Sequence, residues 1–291
     1  MTLRCPKLCL GANIDLNDPN TGSDLGEILR KLRKAASLSG ERLALRCAMS
    51  QSTISRIERG KHLPSVTDVE RILIALEVPR EAADKIIALT RRANVEHVSV
   101  RALAEKGLWR NQLELKALTE TSTVVRSFLP IMPSGLLQIP EYARAVLSPV
   151  LVTSSVRDVD KAVAARLERQ QVLDDTARRF LFLMTEQAVK LRRADRSVMT
   201  RQCAHMAELS ERPNIEIAVL PLTTRMPDSP MNTFLALDDR MVIVELFSGR
   251  VVFRDYKDIK YHLEHFDLFH SHALTGDRAR AFLLSARDEF S

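Results

Sequence analysis

The sequence predicts an α+β protein with two parts. The first is an all-α domain of five helices, and the second is an α+β domain with a mainly antiparallel sheet of about five strands. Apolar residues recur at helical spacing in the first 93 residues, and short strand-like runs separated by turn residues follow residue 123. The expected organisation is a flexible arm at 1–22, a helical domain at 23–93, a helical connector at 94–120 and the α+β domain at 121–291.

The helical periodicity and the capping residues place the elements. In the first domain, helices are expected at 25–38, 41–47, 51–59, 65–76 and 80–92. In the second domain, strands are expected at 123–129, 180–184, 215–220, 233–237, 241–246 and 251–254, and helices at 140–147, 156–173, 195–211, 256–270 and 276–290.

The third helix has an unusual outer face. It lies in the stretch SQSTISRIERG, between a capping Ser50 and a terminating Gly60, and its apolar residues Ile54 and Ile57 are three apart on one side. The outward positions carry hydrogen-bonding or cationic groups: Gln51, Ser52, Ser55, Arg56 and Arg59. A short helix with such a face is what the DNA major groove admits and reads.

Charge is concentrated on the same segment. Residues 24–64 hold nine Lys and Arg against four Asp and Glu, a net charge of +5 out of +6 for the whole chain. Neutralisation of DNA phosphates requires this kind of local excess.

The run LSGERLALRCAMSQSTISRIERGKHLPS resembles the phage-repressor or Xre type of helix-turn-helix, with the family pattern S-Q-x-x-I-S-x-I-E-x-G at Ser50 to Gly60. This resemblance implies a sequence-specific regulator that binds a double-stranded DNA operator. Two residues depart from the pattern. Gly40 stands where a glutamine usually touches a phosphate, and Ala48 stands where the turn usually has glycine, which indicates modest turn strain.

The positions on and around this helix suggest distinct roles. Base contacts are expected from Gln51, Ser52, Ser55 and Arg56, although Arg56 could instead pair with a neighbouring acid. Phosphate contacts are expected from Arg42, Arg46, Arg59, Lys61 and His62. Glu58 is expected to be a structural partner for a cation within the domain. Because one such domain offers a small interface, we expect a homodimer on a roughly twofold site.

The second domain carries a further resemblance. The segments SGLLQIPEYARAVL, RLERQ and RPNIEIAVLP resemble a domain once catalogued as of unknown function, found in actinobacterial, antitoxin-like regulators of the Scr family. The resemblance implies that this domain binds a small protein encoded nearby. The alternative is a ligand-sensing regulator with a metabolite pocket in the same domain.

The sequence gives little support for an enzyme, a metal site or a membrane protein. The sequence has no glycine-rich phosphate loop, nucleophile elbow or acid–base pair, so we expect no enzyme, and the adjacent Asp238 and Asp239 are interpreted as turn residues. A metal site at His262, His265 and His272 is considered, but the apolar pattern around them fits a packed helix better, and no metal or cofactor is expected. No apolar run reaches the ~18 residues of a membrane span, so we expect a cytoplasmic protein that joins the nucleoid when bound to DNA.

Overall fold

The computed structural model of the protein describes residues 21–99, 107–148 and 158–291. It divides into two compact units, with the division between Glu96 and His97. The expected arm at 1–22 lies outside the described residues except for its last two positions, which belong to the first helix.

The described part of the first unit contains five helices, as the periodicity predicts. They are α1 (Thr21–Ala35), α2 (Gly40–Arg46), α3 (Gln51–Glu58), α4 (Val66–Ala75) and α5 (Arg80–Ala93). Serine caps start three of them, because the side chains of Ser39, Ser50 and Ser65 each accept a backbone N–H of the first turn. Their apolar faces meet in one core that includes Leu29, Leu43, Ile54, Ile57 and Val69.

The segment expected as a helical connector is only partly helical. Val95–Ser99 is a strand, β1, and Leu108–Glu120 is helix α6. The expectation for 95–99 is therefore wrong. Val95 and Val98 are three residues apart, a spacing that does not predict a strand, and pairing with the distant β7 decides the conformation.

The second unit contains the remaining elements. Its strands are β2 (Val124–Leu129), β3 (Arg179–Thr185), β4 (Ile215–Leu220), β5 (Phe234–Leu237), β6 (Met241–Leu246) and β7 (Gly249–Phe253). Its further helices are α7 (Pro140–Leu147), α8 (Val159–Gln170), α9 (Glu186–Lys190), α10 (Arg196–Leu209), α11 (Tyr256–His270) and α12 (Gly276–Phe290), with a 3-10 turn at Gln171–Asp174 after α8.

The α+β class is confirmed, and the sheet is larger and more mixed than expected. The described residues form a seven-stranded sheet in the order β1-β7-β6-β5-β2-β3-β4. The half containing β5, β6 and β7 is the expected antiparallel meander, whereas β3 is parallel to both β2 and β4. Helices separate these three strands along the chain, and such connections bring strands back in parallel.

Both faces of the sheet are covered. On one face, Val125, Phe180 and Phe182 pack against Met206 of α10 and Leu283 of α12. On the other face, Phe128, Val242, Ile259, Phe266 and Phe269 form a second apolar cluster, the last three from α11. Among the described residues, no helix has the length and apolarity needed to cross a membrane.

Candidate nucleic-acid interface

Local capping fixes where α3 begins and ends. Ser50 Oγ accepts the Thr53 N–H at 3.1 Å and lies 2.7 Å from Thr53 Oγ1 and 2.8 Å from Ser52 Oγ. At the other end, Gly60 has φ +67° and donates its N–H to Ile57 O, so the chain leaves the helix through the left-handed region. The sequence alone predicts both ends.

The two sides of α3 differ as the periodicity predicts. Ile54 and Ile57 are each 1% exposed and enter the core of the unit. The side chains of Gln51, Ser52 and Arg56 are exposed, and Ser55 is half-buried. The expected base-contacting residues therefore share the uncovered part of one helix.

Arg33 of α1 anchors the far end of α3. Its Nε and Nη2 donate to Glu58 Oε1 and Oε2 at 2.5 and 2.7 Å, and its Nη1 donates to Leu38 O. The hydrogen bonds from Arg33 to Glu58 raise the pKa of Arg33 above its ordinary value, although burial opposes this. The structural role expected for Glu58 is confirmed.

Glycine lets α1 approach α3 closely. A Cβ on Gly26 would lie 2.4 Å from Ile57 O, so this position tolerates no side chain without displacement of α3. Sequence reasoning missed this residue. The available signal was a glycine inside an otherwise amphipathic helix, which often marks close packing.

Arg59 and Ser55 are tied to each other. Arg59 donates from Nε to Ser55 O at 3.0 Å and from Nη2 to Ser55 Oγ at 2.7 Å. An expected phosphate-binding residue and an expected base-binding residue thus share their hydrogen-bonding groups. Because Arg59 is exposed, its long side chain can leave Ser55 when an anion approaches.

The other expected phosphate-binding residues come from two segments. Arg42 and Arg46 are exposed on α2, and Arg46 Nη1 donates to Ala75 O at 3.3 Å. Lys61 and His62 are exposed just after Gly60. Gly40 opens α2 beside Gln51, since a Cβ on Gly40 would lie 4.0 Å from Gln51 Nε2 and near no other group. The start of α2 therefore has room for a side chain next to the start of α3.

The histidines considered as metal ligands each contact a different group of the protein. His262 Nδ1 lies 2.7 Å from Asp258 O, and His265 Nε2 lies 3.1 Å from Asp228 Oδ2. His270 Nε2 lies 2.6 Å from Glu216 Oε1, and His272 Nδ1 lies 2.9 Å from Leu268 O. Within the described ranges, no three His, Cys, Asp or Glu side chains form a group suited to a metal ion.

The helical arrangement and the exposed face of α3 define a helix-turn-helix DNA-binding regulator, and a family model described as a helix-turn-helix domain matches residues 24–86. A second model, a domain of unknown function named DUF5753, matches residues 112–285. This match spans more than half of the chain, and the protein belongs to the DUF5753 family. No curated protein shows significant sequence similarity to the chain.

Several solved structures are similar at low identity. NucT from Helicobacter pylori is 8% identical with a TM-score of 0.38, covering 62% of this chain and 98% of that one. Nuc from Salmonella typhimurium, a phospholipase D family member, is 13% identical with a TM-score of 0.35, covering 62% and 97%. TrmBL2, an archaeal chromatin protein with a novel mode of DNA binding, is 15% identical with a TM-score of 0.33, covering 70% and 65%.

These similarities correct one expectation. The sequence led us to expect no enzyme, and the likeness to NucT and to the phospholipase D family member contradicts that expectation. TM-scores below 0.5 assign no activity to this chain, so an enzyme is no longer excluded and no reaction is assigned.

Proposed function

We propose that the protein is a sequence-specific transcriptional regulator in which α3 reads bases in the DNA major groove. The observation that supports this is the division of α3 into a buried apolar side and an exposed polar, cationic side, held by the Ser50 cap and the Arg33–Glu58 pair. Such a protein would act in the cytoplasm, at the nucleoid.

The proposed DNA contacts are of two kinds, those that read bases and those that position the protein on the phosphates. The Gln51 amide suits adenine, because its oxygen can accept from the N6 amino group while its NH2 donates to N7, and Ser52, Ser55 and Arg56 would read neighbouring positions. Arg42, Arg46, Arg59, Lys61 and His62 would hold phosphates on either side and set the register. One copy would bury little DNA surface, so we infer a homodimer on a twofold operator.

Selection from a pool of random duplexes tests the reading role. The wild type should enrich a palindromic site, and Gln51→Ala and Arg56→Ala should lose about 1–3 kcal/mol of preference at single base pairs. Lys61→Ala should weaken binding to all sequences and reduce the salt dependence by about one counterion per copy. The matched control is Lys85→Ala, an exposed lysine paired with Glu81 on α5, which should bind as the wild type does. No enriched sequence at low salt would contradict the proposal.

For the second unit, we propose membership of the antitoxin-like Scr regulators, whose C-terminal domain binds a small protein encoded nearby. The turn between β6 and β7 supports a protein contact, because Phe247 is fully exposed and Leu246 is 41% exposed beside it. Co-expression with the neighbouring small protein should yield a stable complex. Phe247→Ser should weaken that complex without changing DNA binding by the free regulator, and an unaltered complex would exclude this turn.

A ligand-sensing regulator is the second candidate, in which a metabolite in the C-terminal unit changes DNA binding. It is supported by Arg169, a buried cation whose Nε has no hydrogen-bond partner. A metabolite that shifts the melting temperature and alters operator affinity would favour this candidate over the protein partner.

A further inference from the structure

Two arginines of α8 face the same part of the second unit. Arg166 and Arg169 are three residues apart, so they lie on one side of the helix. Arg166 is half-buried, and Arg169 is 7% exposed. Arginine is rarely this buried without a partner, because removing a guanidinium from water costs several kcal/mol.

The segment that follows β2 holds the pair in place. Arg166 Nη1 donates to Gln138 Oε1 at 2.6 Å, and Gln170 Nε2 donates to Gly135 O and Gln138 O. Gly135 lies directly against both guanidinium groups, since a Cβ there would be 2.8 Å from Arg169 Nη2 and 3.1 Å from Arg166 Nε. The arginines are therefore preorganised by their surroundings.

Within the part of the chain that the structure describes, not all N–H donors of the two arginines have a hydrogen-bond partner. The Nε atoms of Arg166 and Arg169 are buried without a hydrogen-bond partner. Across the described ranges, no hydrogen bond or ion pair engages the Arg169 guanidinium. Burial lowers the pKa of each arginine to about 10, which leaves both cationic at neutral pH. Two positive charges are thus held close together with their donors only partly used.

The carboxylate that acts on both arginines forms no ion pair with them, so the guanidinium groups remain available to a ligand. Glu245 of β6 attracts both arginines electrostatically but makes no ion pair with either. The adjacent Arg250 is directed elsewhere, to Asn111 Oδ1 at 2.7 Å and Glu114 Oε2 at 2.8 Å. Glu245 is exposed to solvent, so its carboxylate can reach a bound molecule.

The position in the sheet fits a ligand site. The Gly135–Gln138 segment follows the carboxyl end of β2, and Glu245 lies near the carboxyl end of β6. Both strands run antiparallel to β5, so their carboxyl ends meet at one edge of the sheet. Ligands of sheets with helices on both faces bind preferentially at this edge.

We propose that Arg169, assisted by Arg166, binds the carboxylate or phosphate group of a small molecule at this edge. The planar guanidinium fork matches such an oxyanion in a bidentate manner. Glu245 then accepts a hydrogen bond from a hydroxyl or ammonium group of the same ligand. The inference rests on the ligand-sensing candidate and names the chemical class of its ligand.

The test is thermal denaturation of the full chain with sodium phosphate or sodium acetate as the probe, at ionic strength held constant with sodium chloride. One or both anions should raise the melting temperature of the wild type. Arg169→Gln should abolish this shift without lowering the melting temperature of the unliganded protein, because it removes a buried uncompensated charge. Glu245→Gln should bind the anion more tightly, since it removes a competing negative charge.

Controls separate a site from a structural arginine. Arg212→Gln, at an arginine 44% exposed and paired with Asp174, should keep the wild-type shift. Arg169→Lys retains the charge without the fork and should lose at least about tenfold in affinity. The proposal fails if neither anion stabilises the wild type, if Arg169→Gln keeps the shift, or if Arg169→Gln and Arg169→Lys both destabilise the free protein.

The two probes identify the source of the oxyanion. A phosphate-specific shift indicates a phosphorylated ligand, and an acetate-specific shift indicates a carboxylic acid. Since these measurements contain no DNA, their failure leaves the reading role of α3 unaffected, and failure of the duplex selection leaves the anion site unaffected.

Discussion

Arg33 and Glu58 lie 25 residues apart and share two hydrogen bonds of 2.5 and 2.7 Å, which connect α1 to the last turn of α3. Both side chains are largely shielded from solvent, with 13% and 9% exposure. The pair therefore fixes the angle at which α3 leaves the core, and through that angle the direction of its exposed face.

Removal of one partner should be costly. Glu58→Ala leaves the Arg33 cation buried and should lower the stability of the first unit by about 3 kcal/mol. A calorimetric scan of the full chain measures this change. The double variant Arg33→Leu with Glu58→Leu should recover most of the loss, because no charge then lies buried. A loss below ~1 kcal/mol for Glu58→Ala would show that the pair behaves as an ordinary surface ion pair.

Gly40→Gln should add the phosphate contact that the helix-turn-helix pattern usually has at this position. The position has open space next to Gln51, so the side chain fits at the start of α2. DNA affinity should rise several-fold, equivalent to about 1 kcal/mol for one added hydrogen bond. Titration of a labelled operator measures the gain. Gly40→Ala is the matched control, as it adds helix propensity without the amide, and equal affinity for the two variants would refute the contact.

The turn between α2 and α3 stores strain at Ala48, which has φ +52°. Since glycine adopts this region without a Cβ clash, Ala48→Gly should stabilise the protein by about 0.5–1 kcal/mol, net of its greater unfolded-state entropy. Ala88→Gly, at an exposed position inside α5, should instead destabilise by about 1 kcal/mol. Chemical denaturation followed by circular dichroism measures both changes. A loss of stability for Ala48→Gly would rule out strain at this turn.

Asp238 should make the second unit sensitive to acid. Burial opposes its ionisation, but the Val124 and Thr123 N–H groups at 2.8 and 2.9 Å and the Arg240 guanidinium lower its pKa below the ordinary value. Because the folded-state pKa is depressed, this stabilisation is present above about pH 4 and disappears as the pH falls through the lowered pKa.

Asp238→Asn gives the comparison for this residue. Asparagine tolerates the φ of +53° at this position and retains an acceptor for the backbone. The variant should melt below the wild type at neutral pH, by the equivalent of about 1 kcal/mol, and the difference should close in acid. A difference that stays constant with pH would show that the charge of Asp238 is not its cause.

The first unit could be predicted almost entirely from its sequence, since the signals there are local. Ser50 caps α3 through a residue three positions away, and the 3.6-residue period places Ile54 and Ile57 inward. The contacts between helices could not be predicted. Arg33 pairs with Glu58, and Gly26 packs against Ile57, and both contacts join segments that are far apart in the sequence.

In the second unit, the sequence by itself determined the α+β class and the approximate position of most strands, because alternation and turn residues are encoded within each run. Only the tertiary structure decided the strand order, the parallel pairing of β3 with β2 and β4, and the recruitment of β1. It also brought Arg166 and Arg169 of α8 near Glu245 of β6. Pairing between strands far apart in the chain depends on hydrogen bonds and burial that no local pattern records.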